Sequence, residues 1–176
     1  MPRIRLIVNS QTHELSLGDD VEPWDPLCYD VYPWDRLIHT LRHRLGLTGT
    51  KLGCDRGACG ACSVLINGKL ALSCSVLTAD CDGKEITTIE GLSDPQTDEL
   101  HPIQQAFLEN NGAQCGFCTP GMILAAKALL DKNPDPTRED VKWALSGNIC
   151  RCGNYRLIAK SVLAAAGKMR SGKVQP

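Results

Sequence analysis

The spacing of its cysteines constrains this chain more than any other feature of its sequence. Three of them follow a Cys-x4-Cys-x2-Cys pattern and a fourth comes eleven residues later, which gives the set Cys54, Cys59, Cys62 and Cys74. The first three match the ligand spacing of plant-type 2Fe-2S proteins. Zinc is the alternative metal, although zinc usually takes its cysteines from two Cys-x2-Cys pairs. Cys81 competes with Cys74 for the fourth position, because spacing alone does not separate the two.

A second group of four cysteines lies in the C-terminal half of the chain and comprises Cys115, Cys118, Cys150 and Cys152. We expect its Cys-x2-Cys and Cys-x-Cys pairs at helix ends, where an N-terminal helix dipole favours an anionic cluster. Zinc binding and thiol exchange are the alternatives, since Cys-x2-Cys is also a redox motif. Cys28 and Cys81 fall outside both groups and are interpreted as free thiols.

Composition and charge exclude several other kinds of protein. Ten cysteines in 176 residues fall below the content of a disulfide scaffold, which is about 8 to 10% or more. With 19 Lys and Arg against 20 Asp and Glu, the net charge of −1 provides no cationic field for nucleic acid or a membrane surface. The first residues alternate in polarity as in a strand, unlike a signal peptide. We therefore expect a soluble, cytoplasmic protein.

The period of the apolar residues changes near residue 91, which predicts an α+β protein of two domains. Residues 1–90 show strand-like alternation and one amphipathic helix that starts at Pro33 and stops at Gly46, so they indicate a small mixed sheet crossed by a helix. Residues 91–99 have the composition of a linker. Residues 100–176 predict a four-helix bundle, with helices near 100–110, 120–132, 137–146 and 155–169.

Five segments resemble, in order, the signatures of the small iron–sulfur subunit of the xanthine oxidase family of molybdenum hydroxylases. They are 46–51 (GLTGTK), 53–55 (GCD), 59–62 (CGAC), 114–122 (QCGFCTPGM) and 147–152 (GNICRC). The resemblance extends from about residue 3 to residue 166. It implies a β-grasp ferredoxin domain followed by a four-helix bundle, each of which holds one 2Fe-2S cluster.

The resemblance also implies a role for each cysteine of the two groups. Cys74 becomes the fourth ligand of the ferredoxin-type cluster, and the helical cluster uses all four cysteines of the second group. Gln114 and the sulfur of Cys152 would approach a molybdopterin cofactor on a large partner subunit. The ferredoxin-type cluster would face FAD on a medium partner subunit, within a dimer of heterotrimers.

The function implied in this way is electron transfer from molybdenum to flavin, while substrate is hydroxylated on another chain. No catalytic residue is expected in this chain itself. A zinc-stabilised binding module and a free-standing ferredoxin-like carrier are the alternative functions. The sequence does not identify the substrate of the assembled enzyme or the final electron acceptor.

Two departures from the family pattern are visible. Gly153-Asn154 stands where the family commonly has Thr-Gly, so we expect the turn to survive through the tolerance of Asn for left-handed backbone. The segment from Val21 to Trp34 contains Pro-Trp-Asp twice, at 23–25 and 33–35. We expect its aromatic residues to contact a partner subunit, the alternative being a lid over the sheet.

Overall fold

The computed structural model describes residues 2–18, 31–94, 96–97 and 99–172. Most of the segment from Val21 to Trp34, with Cys28, lies outside the described residues. Within the described residues, no helix is long and apolar enough to cross a membrane.

The described residues of the N-terminal half form a five-stranded mixed sheet. Its strands are β1 (Arg3–Val8), β2 (Gln11–Ser16), β3 (Ser63–Ile66), β4 (Lys69–Leu72) and β5 (Glu85–Thr87), arranged in the order β2-β1-β5-β3-β4. The central pair, β1 and β5, is parallel, and the other pairs are antiparallel. Alternate residues of β1, namely Ile4, Leu6 and Val8, are buried, as the period of two predicts.

Two antiparallel hairpins, β1-β2 and β3-β4, belong to this sheet. Asn67 and Gly68 join β3 to β4 with φ values of 48° and 72°, so the turn uses the left-handed region that this pair of residues tolerates. Strand β5 ends at Thr87, and a 3-10 turn begins at Ile89.

The helix predicted from Pro33 is shorter than its apolar pattern indicated. It consists of α1 (Leu37–His39), which continues as a π-helical segment over Thr40–Arg44. Leu37, Ile38 and Leu41 are fully buried, which confirms the apolar face. The spacing of Trp34 suits the same face, but this residue precedes the helix and is 54% exposed.

In the C-terminal half, residues 99–172 form four helices: α2 (Pro102–Glu109), α3 (Thr119–Leu130), α4 (Arg138–Ala144) and α5 (Tyr155–Arg170). Thr137 caps α4 in a capping box with Asp140. The four helices share one core, in which the largest fully buried side chains are Phe107, Ile103, Met122 and Ile158.

The two halves are packed directly against each other. Leu65 on β3 forms a buried cluster with Leu124 and Ala128 on α3. Helix α3 is apolar on nearly all sides because one of its faces contacts the sheet and the others contact α2, α4 and α5. This contact brings the two cysteine-containing loops to the same region of the molecule.

Candidate metal centres

The first cysteine group lies in the long loop between the π-helical segment and β3, together with the 3-10 turn after β4. Cys62 and Cys74 are buried beside Ile38 of α1, whereas Cys54 and Cys59 are partly exposed. The group therefore has an inner pair held by the sheet and helix and an outer pair nearer to the surface.

Backbone N–H groups of this loop point at the sulfurs. The amide of Gly57 donates to Cys74 Sγ at 3.3 Å, and that of Ala58 donates to Cys54 Sγ at 3.2 Å. The backbone turns that allow this geometry use positive φ angles at Asp55, Gly57 and Gly60. Such bonds stabilise a thiolate or the sulfurs of a cluster, so the loop suits an anionic group.

The pKa is lowered for an outer thiol of this group and raised for an inner one. Backbone hydrogen bonds from Arg56 and Ala58 lower the pKa of Cys54 to about 6. Burial raises the pKa of Cys62 to about 11, and the neighbouring Cys74 thiol contributes to that rise. Cys54 hydrogen bonds to Cys59 and Cys62 to Cys74, and Cys62 also interacts electrostatically with Cys59.

The structure separates the two candidates for the fourth position of this group. Cys74 lies against Cys62 and receives the Gly57 N–H. Cys81 is buried in the core between the sheet and α1, among Ile4, Leu6 and other apolar side chains. Its thiol hydrogen bonds to the Leu77 carbonyl at 3.6 Å. Cys74 therefore shares the site of Cys54, Cys59 and Cys62.

The second cysteine group is built from the N-terminal ends of two helices. Cys118 directly precedes α3, and Cys150 and Cys152 lie in the turn before α5. Here too the thiols form two pairs: Cys115 Sγ and Cys152 Sγ are 3.4 Å apart, and Cys118 interacts with Cys150. Both positions agree with the predicted locations at helix ends.

Burial again distinguishes the members of the group. Cys115 and Cys152 are exposed, while Cys150 is buried and donates its backbone N–H to the Tyr155 hydroxyl at 2.9 Å. A backbone hydrogen bond from Phe117 lowers the pKa of Cys115, whereas burial raises that of Cys118 to about 12. An outer and an inner pair therefore recur in the second group.

One orphaned polar atom supports a bound group at this position. The Thr119 hydroxyl follows Cys118 directly, is buried, and has no hydrogen-bond partner among the described residues. A group held by the adjacent thiols would give this hydroxyl a sulfur or another acceptor to which it can donate.

The residues fit a two-iron cluster in each group. A 2Fe-2S cluster takes four cysteine thiolates, so each group of four would supply one complete ligand set. Within the described part of the chain, no group of three or more His, Cys, Asp or Glu side chains could hold a single metal ion. This holds also for His39 and His43, whose stacked rings have centroids 5.9 Å apart.

The two groups border a common cavity of about 260 Å³. Gly53, Cys54 and Cys59 line one side, and Cys115, Phe117, Cys118, Ile149 and Arg151 are among the residues on the other. A larger cavity of about 490 Å³ between α4 and α5 contains no cysteine. The cavity between the cysteine groups is therefore the one related to their chemistry.

The turn that departs from the family pattern differs from the expectation. Gly153, with φ of 71°, adopts the left-handed backbone, whereas Asn154 has φ of −77° and directly precedes α5. The Asn154 side chain is buried and donates to the Asn111 carbonyl at 2.9 Å. Its oxygen accepts a hydrogen bond from Gln114 Nε2 at 3.4 Å.

Sequence reasoning missed two residues that hold the cysteine loops. Asn148 joins the loops by a buried hydrogen bond to the Gly60 carbonyl, 88 residues away. Arg36 reaches both the Cys54 loop and Cys74. Asn148 occurred within a signature segment, so its position was visible but its partner was not. Neither motif nor periodicity marked Arg36.

Comparisons with known proteins agree with these sites. Residues 88–163 match a family described as [2Fe-2S] binding domain, and residues 46–105 match a 2Fe-2S iron-sulfur cluster binding domain. The chain is 42% identical over 171 residues to a probable xanthine dehydrogenase subunit from Bacillus subtilis (strain 168), covering 97% of this chain and 89% of that protein.

Solved structures give the same result. Quinoline 2-oxidoreductase from Pseudomonas putida 86 superposes with a TM-score of 0.84 at 37% identity, covering 98% of both chains. Aldehyde oxidoreductase from Desulfovibrio desulfuricans ATCC 27774 also gives a TM-score of 0.84, at 40% identity, with 97% of this chain matching 17% of that longer chain. The chain thus belongs to the family of 2Fe-2S iron–sulfur subunits found in the xanthine oxidase family of molybdenum hydroxylases.

Proposed function

We propose that this chain carries single electrons between a molybdenum centre on a large partner subunit and FAD on a medium partner subunit. The observation that carries the proposal is the pair of four-thiol sites that share one cavity, which Cys54 and Cys59 of the first site and Cys115 and Cys118 of the second line together. A 2Fe-2S cluster supplies one-electron chemistry when it is bound. The protein's own contribution is to hold the ligands, shield the inner thiols and supply hydrogen bonds to sulfur.

The ligand assignment follows the thiol pairs. In the ferredoxin-type site, Cys54 and Cys59 would hold one iron, and Cys62 and Cys74 the other. In the helical site, the two pairs would be Cys115 with Cys152 and Cys118 with Cys150. This assignment rests on the hydrogen bonds and interactions between these thiols.

Exposure supports the direction in which each site faces a partner. Cys115 and Cys152 are exposed, and Gln114 next to them is also exposed, so this end of the helical site is open for a molybdopterin on the large subunit. The ferredoxin-type site would face the flavin subunit, while its Cys54 and Cys59 border the cavity that it shares with the helical site. Short distances between ligands favour electron transfer, so this shared cavity suits transfer between the two clusters.

We assign the architecture as a β-grasp domain over 1–90, a linker over 91–99 and a four-helix bundle over 100–176. The strand order with its central parallel pair, and the helix α1 packed on it, support the first assignment. The shared core of the four C-terminal helices supports the last. The shared cluster of Leu65, Leu124 and Ala128 means that the two domains form one packed unit.

The partners follow from the relatives. In the aldehyde oxidoreductase chain, the part equivalent to this chain makes up 17% of a longer polypeptide, so most of that enzyme lies outside the region that this chain matches. We propose a dimer of heterotrimers in the cytoplasm. The nine described cysteines form no disulfide, which suits a reducing compartment.

Metal analysis and co-purification test the proposal. Freshly isolated protein should be brown, contain about four iron atoms per chain and show two distinct 2Fe-2S signals on reduction. It should co-purify with two larger chains that carry molybdenum and flavin. About two irons per chain would contradict two clusters, a colourless zinc protein would support a binding module, and a fully loaded chain without partners would support a free carrier.

A further inference from the structure

Arg36 forms a set of contacts that the relay described above does not use. Its Nη1 donates to the Asp55 carbonyl at 3.2 Å and to the Cys74 carbonyl at 3.5 Å. The same guanidinium forms an ion pair with the Asp55 carboxylate, with a shortest N–O distance of 2.7 Å. Asp55 directly follows Cys54, so one side chain contacts the segments of the first and fourth cysteines.

The position of Arg36 in the fold keeps the guanidinium in place. Arg36 precedes α1 directly and pairs with Leu77 in an isolated antiparallel bridge. Its Nη2 lies 3.3 Å from His39 Nε2, and because a guanidinium only donates, the histidine nitrogen must accept. The exposed fraction of the side chain is 33% for Arg36 and 39% for Asp55, so solvent only partly screens the attraction between the two charges.

Asp55 needs such support because its backbone is unusual. Its φ of 56° lies in the left-handed region, which a non-glycine residue adopts at an energetic cost. This turn leads into the amides of Gly57 and Ala58, which donate to the sulfurs of Cys74 and Cys54. A contact that fixes Asp55 therefore helps to fix the N–H groups aimed at both sulfurs.

The charges have a second consequence. An unpaired carboxylate next to Cys54 would oppose the uptake of an electron by a cluster at this site, because reduction adds negative charge. Arg36 neutralises that carboxylate at short range. Hydrogen bonds to sulfur and net charge are two of the factors that set the potential of an iron–sulfur cluster.

We propose that Arg36 is a positioning residue of the ferredoxin-type site, which joins the Cys54 and Cys74 segments and raises the reduction potential of the cluster bound there. The proposal rests on the function assigned above. It adds a determinant of potential that acts on one of the two sites, since Arg36 contacts none of the four cysteines of the helical site in the described structure.

The test is a potentiometric titration of the full chain with both clusters, in which the helical cluster serves as the internal reference. Arg36→Leu should lower the potential of the ferredoxin-type cluster and leave that of the helical cluster unchanged. Arg3→Leu is the matched control, because Arg3 also pairs with a carboxylate, that of Glu14, but on the exposed β1–β2 hairpin. It should change neither potential.

Three further variants separate charge from geometry. Asp55→Asn tolerates the same backbone and removes the negative charge, so it should raise the potential. Arg36→Leu combined with Asp55→Asn should return it toward the wild-type value. Arg36→Lys keeps the charge but loses the forked contacts, so it should restore much of the potential while hydrogen exchange at residues 55–58 increases.

The outcomes distinguish this inference from the function on which it rests. A wild-type protein without two reducible centres would overturn the proposed function. Two normal centres with the same ferredoxin-type potential in Arg36→Leu and Arg3→Leu would overturn the role of Arg36 alone. If Arg36→Leu failed to bind the ferredoxin-type cluster, an unchanged potential in Asp55→Asn would still contradict the proposal, and a raised potential would support it.

Discussion

The backbone N–H of Ile149 donates a hydrogen bond to the carbonyl oxygen of Cys59, with an N–O distance of 2.9 Å. Cys59 belongs to the first cysteine group, and Ile149 directly precedes Cys150 of the second. The two sites are therefore connected through one hydrogen bond between their backbones. Each loop is held in part by the other, so we expect the order of the two sites to be coupled.

Asn148 provides the side chain that strengthens this connection. Its Nδ2 donates to the buried Gly60 carbonyl at 2.9 Å. Asn148→Ala should lower the free energy of unfolding by about 1–2 kcal/mol, because a buried hydrogen bond and its packing are lost. It should also increase hydrogen exchange in both cysteine loops, measured by mass spectrometry.

Asn133→Ala is the control for this variant. The Asn133 side chain accepts a local hydrogen bond from the amide of Asp135 on an exposed turn, so the variant should not change exchange in the cysteine loops. Increased exchange confined to residues 147–152 in Asn148→Ala would show that the two loops are independent.

The close approach of α3 to the Gly60 carbonyl predicts opposite effects of a Gly-to-Ala substitution at two helical glycines. A Cβ at Gly121, in the first turn of α3, would overlap the Gly60 carbonyl oxygen, whereas a Cβ at Gly167 in α5 would meet no atom within 4 Å. Gly121→Ala should destabilise the protein by about 1–3 kcal/mol. Gly167→Ala should stabilise it by about 0.5–1 kcal/mol through helix propensity. Thermal unfolding of both variants, measured side by side, checks the contrast, and equal shifts would contradict it.

These contacts show which parts of the structure the sequence could predict. Alternation in β1, the Asn67-Gly68 turn and the apolar faces of α2 to α5 depend on neighbouring residues, so local pattern sufficed. The cysteine spacing grouped Cys54, Cys59 and Cys62 for the same reason, whereas Cys74 and the second group were assigned through the family resemblance. The bond from Asn148 to Gly60 spans 88 residues, and no local pattern records such a partner. The local pattern is misleading at Trp34. Its spacing suits the apolar face of the predicted helix, but the helix starts only at Leu37 and Trp34 is exposed.

His101 gives the N-terminus of α2 a dependence on pH. Its Nδ1 accepts the Ile103 N–H at 3.2 Å, which requires an unprotonated nitrogen. Burial lowers the pKa of His101, and the charge of Lys127 adds to this, while Asp131 acts in the opposite direction. The unfolded chain then binds the proton more readily than the folded chain. Stability from this cap is complete above about pH 6.5 and is lost as the pH falls below that value.

His101→Asn tests this dependence, because asparagine caps helices well and does not titrate. The melting temperature of the wild type should fall more steeply than that of the variant between about pH 7 and pH 5.5. Acid damage to the clusters affects both proteins, so the difference between the two curves is the quantity to measure. Parallel curves would show that His101 does not titrate in this range.

The fourth ligand of the ferredoxin-type cluster can be tested with two serine variants. Cys74→Ser should remove or strongly alter the signal of this cluster in electron paramagnetic resonance, because Cys74 lies against Cys62 and receives the Gly57 N–H. Cys81→Ser should leave the signal intact, since Cys81 lies in the core between the sheet and α1 and not beside Cys62. A normal signal in Cys74→Ser together with a lost signal in Cys81→Ser would reverse the assignment.

Gln114 is predicted to act on the cofactor side of the helical site. The Asn111 carbonyl can only accept, so it fixes the Asn154 amide with Nδ2 inward and Oδ1 toward Gln114. Gln114 must then donate through Nε2, which leaves its carbonyl oxygen for a partner beside Cys115.

Gln114→Ala should lower the turnover of the assembled enzyme by about 10- to 100-fold, or shift the potential of the helical cluster, with both clusters still bound. Gln105→Ala, which removes an exposed amide bonded to Glu109 on α2, is the control and should change neither quantity. If Gln114→Ala matches this control in turnover and in both potentials, the amide has no role at the cofactor, and the ordered contact with Asn154 serves only the fold of the turn before α5.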